Sequence, residues 1–92
     1  MAPAGELLIL VVAAHASLRA RCRGILAAAG YDVALASDPD VGVVLALARR
    51  PAAIIVEAGM SVDGLPLEFP VATLSGPAHD LLAVVARALA TS

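Results

Sequence analysis

The sequence predicts an α/β protein, a doubly wound parallel sheet reduced to about four strands and three helices, with residues 1–92 forming a single domain. Three observations predict it. The strand candidates are continuous apolar runs of Leu, Ile and Val rather than alternating ones, the pattern of strands covered on both faces. Between them apolar residues recur at helical spacing. The breaks are short and carry residues that start or stop helices, such as Gly30, Asp38-Pro39 and Pro51. Strands and helices that alternate in this way build parallel sheets.

Leu7 to Val12 is the first apolar run and reads as the first strand. Leu18, Cys22, Ile25, Leu26 and Ala29 then form a helical stripe, ended by Gly30, which accepts the left-handed conformation that closes helices. Cys22 falls on that stripe and reads as a small inert core thiol. Tyr31 to Ser37 is the second strand, and Asp38-Pro39 offers an N-cap followed by a proline at the first helical position. The next helix is expected to bury Val41, Val44, Leu45 and Ala48, with Arg49-Arg50 complementing its carboxyl-terminal dipole before Pro51 stops it. Ala52 to Val56 is a third strand, closing on Glu57.

Regular alternation then fails. Residues 58–69 separate the third strand from the run Pro70 to Leu74 and contain Gly59, Asp63-Gly64 and Pro66, so an irregular crossover is expected in place of a helix. After the turn at Ser75-Gly76-Pro77 the final helix is expected to bury Leu81, Leu82, Val85, Ala88 and Leu89. No sequence is left for a fifth strand, so Pro70 to Leu74 becomes a sheet edge and one face of the last two strands lacks a helix. Open edges and exposed apolar faces point to pairing with another chain, here as a homodimer.

Composition narrows the function. The net charge of −2, with six arginines and eight acidic residues, gives no pull toward nucleic acid or anionic lipid. Arg19, Arg21 and Arg23 fall close together, but no aromatic residue is interleaved for base stacking, and they read as a solvated helix face. With 61% hydrophobic but only 2% aromatic residues, the core must be built from small aliphatic side chains. One cysteine excludes an internal disulfide and a cysteine-rich zinc site. The run Leu7–Ala14 ending in Ala14-His15-Ala16 imitates a signal peptide. Its flank carries Glu6 and no positive charge, and the run is needed as a strand, so a cytoplasmic protein without a membrane span is expected.

In parallel α/β sheets ligands bind at the carboxyl ends of the strands, where strand order reverses. Ala13, Ala14, His15, Glu57 and Ser75 occupy those ends. Leu8-Ile9-Leu10-Val11-Val12, Ser17-Leu18-Arg19, Gly30-Tyr31-Asp32-Val33, Ala36-Ser37-Asp38, Asp63-Gly64-Leu65 and Pro70-Val71-Ala72-Thr73-Leu74-Ser75-Gly76, in this order and spacing, give a chain that resembles the receiver domains of bacterial two-component response regulators. The resemblance is good over residues 7–57, looser to 76, and recovers at the last helix. It implies a flavodoxin-like arrangement.

The resemblance also implies a chemistry that this chain lacks. Receivers hold Mg²⁺ with two acids after the first strand, accept phosphate on an Asp after the third, and place a Ser or Thr after the fourth and a Lys after the fifth. Here the acid positions fall on Ala13 and Ala14 and the acceptor position on Glu57, while Ser75 keeps the hydroxyl and no lysine exists anywhere in the chain. Methyl groups cannot ligate magnesium, and without the ion a phosphoryl donor would approach Glu57 against like charge. No metal, cofactor or catalytic residue is therefore expected. Glu57 either stands as a permanent mimic of the activated state or is a polar strand-end residue bonded to loop amides or to Ser75. His15 either pairs with Glu57 or flanks a helix in solvent, and His79 reads as a solvated residue beside Asp80.

Family members commonly signal through the fourth helix, fifth strand and fifth helix, and two of these three are missing here, which puts that output face in doubt. The expectation is a pseudo-receiver: a non-enzymatic, phosphorylation-independent interaction or adaptor module with a protein partner. The alternative is a small-ligand or enzymatic site at the strand ends built from His15, Glu57 and Ser75.

Overall fold

The computed structural model describes residues 7–66 and 68–90, so the flank with Glu6 and the two terminal residues lie outside the described residues. Among the described residues, four strands, β1 (Leu8–Val12), β2 (Asp32–Ala36), β3 (Ala53–Glu57) and β4 (Val71–Leu74), and three helices, α1 (Ala16–Ala28), α2 (Pro39–Arg49) and α3 (Leu81–Ala90), follow one another in the expected order, and a 3₁₀ turn, Ala78–Asp80, leads into α3. The sheet order is β2-β1-β3-β4 and every pairing is parallel. Leu10 lies between Ala34 and Ile54, and Ile55 lies beside Ala72.

Local chemistry sets the boundaries. Asp38 caps α2, its Oδ1 accepting from the Val41 N–H at 2.9 Å, with Pro39 behind it. Gly30 ends α1 at φ +94°, a conformation costly for any residue with a Cβ. At the end of α2 the same left-handed cap falls on Arg50, φ +49°, which donates its N–H to the Ala46 carbonyl at 2.9 Å. Its guanidinium reaches Glu68 Oε2 at 3.0 Å and sits 5.4 Å from the centroid of the Phe69 ring, tying the end of α2 to the crossover.

Alternate residues of the strands feed two cores. Ile9, Val11, Ala53 and Ile55 pack with Cys22 and Leu26 of α1 and Leu81, Val84, Val85 and Ala88 of α3. Leu10, Val12, Ile54 and Val56 pack with Ala46 of α2 and with Leu65 and Phe69 of the crossover. The last helix thus shares a face with the first. Leu65 and Phe69 cover part of the face of β3 and β4 expected to be bare, leaving a shallow apolar groove of about 260 Å³ that also takes in Val71 and Thr73 of the edge strand.

The buried stripe of α2 differs from the expected one. The helix turns Gly42 and Ala46 to the sheet and leaves Val41, Val44 and Ala48 exposed. The reason is proximity: a Cβ at Gly42 would stand 2.9 Å from Val12 Cγ2, so the helix axis lies too close to β1 for a branched side chain to fit beneath it. In α3, Val84 takes the buried place expected of Leu82, and Ala29, the cap that follows α1, is exposed. Among the described residues no helix is long and apolar enough to cross a membrane.

Candidate functional site

Strand order reverses between β1 and β3: the chain leaves β1 toward β2 on one side, while β3 continues toward β4 on the other. Helices leave such a point in opposite directions and open a crevice at the carboxyl ends of the two strands. Here that crevice is filled by the protein's own groups.

Glu57, the last residue of β3, sends its side chain across to the loop after β1. One carboxylate oxygen, Oε1, accepts the Ala14 N–H at 2.8 Å, and the other, Oε2, meets His15 Nδ1 at 2.6 Å. The two side chains are unequally placed, Glu57 being 16% exposed and His15 74%. The His15 bond holds the Glu57 carboxyl below the usual carboxylate range, with the Ala14 amide acting in the same direction against partial desolvation. An ionised carboxylate only accepts, so the imidazole donates its Nδ1–H and turns Nε2 to solvent.

The loop that presents these donors is held in turn. Arg19, one turn into α1, donates from Nη1 to the Ala13 carbonyl at 2.8 Å and to the Ala14 carbonyl at 3.1 Å. The Ala13 N–H extends the parallel ladder to the Ala36 carbonyl at 2.9 Å, and the Ala13 side chain is buried in the core shared by α1 and α3. Ala14 is exposed. The loop thus has one inward methyl, one outward methyl, and a backbone amide between carbonyls anchored by a guanidinium. Sequence reasoning missed Arg19, read as part of a solvated face. Its position four residues after His15, where α1 begins, was the available signal.

Of the predicted site residues, Ala13, Ala14, His15 and Glu57 are brought together. Ser75 is not part of that cluster: it lies exposed beyond β4, and the Glu57 carboxylate is turned toward β1. Glu57 therefore takes the loop-amide option and the His15 pair, without Ser75. His79 is a solvent-exposed neighbour of Asp80, Nε2 to Oδ1 at 3.5 Å. Burial pushes the Cys22 thiol up, with the Glu57 charge adding to the effect, which fits an unreactive core thiol. Among the described residues, no three His, Cys, Asp or Glu side chains are grouped so that they could hold a metal ion.

No protein-family model and no curated protein matches the chain in sequence. Among solved structures, one titled as a yeast Spc42 trimeric coiled-coil segment, amino acids 181–211, fused to another structure, is similar at a TM-score of 0.73 and 20% identity, over 91% of this chain and 79% of that one. At that identity the likeness is one of fold alone, and the parallel four-stranded sheet with its three helices is a flavodoxin-like α/β fold.

Proposed function

We propose that the chain is a degenerate receiver domain, a pseudo-receiver, that works in the cytoplasm as a phosphorylation-independent interaction module for a protein partner in signalling. The observation that carries this reading is the state of Glu57: both carboxylate oxygens are engaged, by the Ala14 amide and the His15 imidazole, from the loop where a working receiver displays its acids. A receiver meets its acceptor with a cation supplied from solution, whereas here the Glu57 carboxylate is met by hydrogen-bonding groups of the chain itself. Alanine side chains at 13 and 14 supply no oxygen ligand for a divalent ion.

The same arrangement argues against an enzyme. A nucleophile would need to lie within hydrogen-bond reach of the base, and neither Ser37 nor Ser75, the hydroxyls that follow β2 and β4, is hydrogen-bonded to the His15–Glu57 pair. What remains is a small α/β body whose strand-end carboxylate is already engaged by its own loop.

Incubation of the full chain with acetyl phosphate and Mg²⁺, followed by intact mass measurement, tests the reading. The expected result is no phosphoryl adduct and no change in melting temperature on adding Mg²⁺ alone. A phosphorylated species mapped to Glu57 would overturn it.

A further inference from the structure

Strand β4 forms one edge of the sheet. The Ile54 N–H donates to the Pro70 carbonyl at 2.8 Å and the Ala58 N–H to the Leu74 carbonyl at 3.2 Å, with Ile54 level with Val71 and Val56 level with Thr73. In a parallel ladder this register turns the N–H and C=O groups of Ala72 toward β3 and those of Val71 and Thr73 away from it. Among the described residues no hydrogen bond reaches these four outward groups. Such donor and acceptor pairs recur along a strand edge about every 6.8 Å, the repeat of another extended polypeptide.

The surface beside this edge is apolar. Val71 and Thr73 are exposed, and their side chains line the groove shared with Val62, Leu65, Pro66 and Phe69 of the crossover. Among the described residues no charged side chain lines it. The opposite edge is built differently. Val33 and Leu35 of β2 also turn their backbone groups outward, but their side chains pack against the core shared by α1 and α3, Ala34 and Ala36 pack with Ala46 of α2, and the strand begins on the exposed Asp32. An added strand would find side-chain room at β4 and none at β2.

We propose that the β4 edge is where the protein partner binds, by adding an extended segment of its own as a further strand. The inference rests on the reading of the chain as an interaction module and names the chemistry of what that module takes. Main-chain hydrogen bonds to Val71 and Thr73 hold the segment, and its alternate side chains, on the same face as those of Val71 and Thr73, lie against the groove. Those side chains are apolar, because the groove offers no charge to meet. Asp63, which follows the groove residue Val62, is exposed and has no ion-pair partner among the described residues, so a lysine or arginine at one end of the segment completes the match.

Hydrogen exchange and a binding titration with a synthetic probe test this on the full chain. The probe is a short peptide of alternating valine and threonine between two end lysines, and its control is the same peptide N-methylated at each valine and threonine. Main-chain pairing tolerates sequence, so the probe stands in for the natural segment. The plain peptide should bind with a Kd below about 1 mM and slow exchange of the Val71 and Thr73 amides about tenfold or more, leaving those of Val33 and Leu35 unchanged, and the N-methylated control should do neither. Val71→Lys changes an exposed side chain and brings a charge to the groove, so circular dichroism should not change while the Kd rises about tenfold or more. Unchanged exchange at Val71 and Thr73 in millimolar peptide would overturn the inference, as would equal binding of the control. Protection of the same amides that grows with protein concentration in the absence of peptide would give the edge to a second copy of the chain and overturn it too. None of these results touches the phosphorylation test at Glu57, and a phosphoryl adduct there would remove the proposed function without altering exchange at the β4 edge.

Discussion

Glu57 and His15 close on each other across the ends of β3 and β1, with Oε2 and Nδ1 2.6 Å apart and the second carboxylate oxygen on the Ala14 amide. A carboxylate at the end of a buried strand must find donors or stay protonated. This one finds both on a single loop, and that loop is fixed by Arg19 through the carbonyls of Ala13 and Ala14. The crevice that parallel sheets leave for a ligand is in this way converted into a junction between two strands.

The junction should be visible in acid. Because the Glu57 carboxyl sits below its ordinary range, chiefly through His15, the folded state binds this proton less readily than the unfolded state does. The stabilisation is therefore fully present above the unfolded glutamate value, about 4.3, and drains away as the pH falls through the lower folded value. Urea unfolding of Glu57→Gln against wild type, repeated from about pH 6 downward, should show a gap that is constant at the upper end and narrows toward acid. In a His15→Ala background the gap should shrink throughout. A gap independent of pH would mean that the carboxylate is not held as described.

The two alanines of the loop should respond in opposite ways to a restored acid. Ala13→Asp places a carboxylate in the core among Ile9, Cys22 and Leu81, with no cation to meet it, and should destabilise by about 3 kcal/mol or more. Ala14→Asp projects into solvent and should fold, with a change in denaturation midpoint worth less than about 1 kcal/mol. Equal losses in the two variants would contradict the inward and outward placement of these methyl groups.

The alternation of strand and helix was legible in the sequence because each strand is a continuous apolar run and each helix has a chemical signal at one end: Gly30 after α1, Asp38-Pro39 before α2, Ser75-Gly76-Pro77 before α3. The site was legible as a list of strand-end residues, and the His15–Glu57 pair among them follows from adjacent parallel strands. Arg19 was hidden because an arginine on a helix looks solvated until the loop carbonyls it reaches are in place. The face of α2 was misread because hydropathy ranks Val and Leu above Gly and Ala. Contact distance decided otherwise, since only small residues fit between that helix and Val12.

Gly42 and Gly24 make that last point measurable. Both lie inside helices, where alanine is intrinsically better by about 1 kcal/mol. Nothing stands within 4 Å of a Cβ at Gly24, so Gly24→Ala should stabilise by about 0.5–1 kcal/mol. At Gly42 the new methyl meets Val12 Cγ2 at 2.9 Å, a stiff β-branched side chain buried in an inner strand. Overpacking of this kind typically costs 1–3 kcal/mol, so Gly42→Ala should lower stability by about 1 kcal/mol despite its better propensity. The two substitutions, chemically identical, should move the thermal midpoint in opposite directions.

Arg50 combines an unfavourable backbone with favourable side-chain contacts, and three substitutions separate the two. Its left-handed cap, φ +49°, costs an ordinary residue about 1 kcal/mol relative to glycine. Its guanidinium contributes an exposed ion pair with Glu68 and a cation–π contact with Phe69, together worth about 1 kcal/mol. Arg50→Ala keeps the strained cap and loses both contacts, so it should destabilise by about 1 kcal/mol. Arg50→Gly loses the contacts but relieves the cap and should be close to neutral. Glu68→Gln removes only the ion pair, and its small effect should vanish in high salt while that of Arg50→Ala persists. If Arg50→Gly proved as damaging as Arg50→Ala, the backbone at the end of α2 would not be left-handed, and the tie between α2 and the crossover would have to be drawn differently.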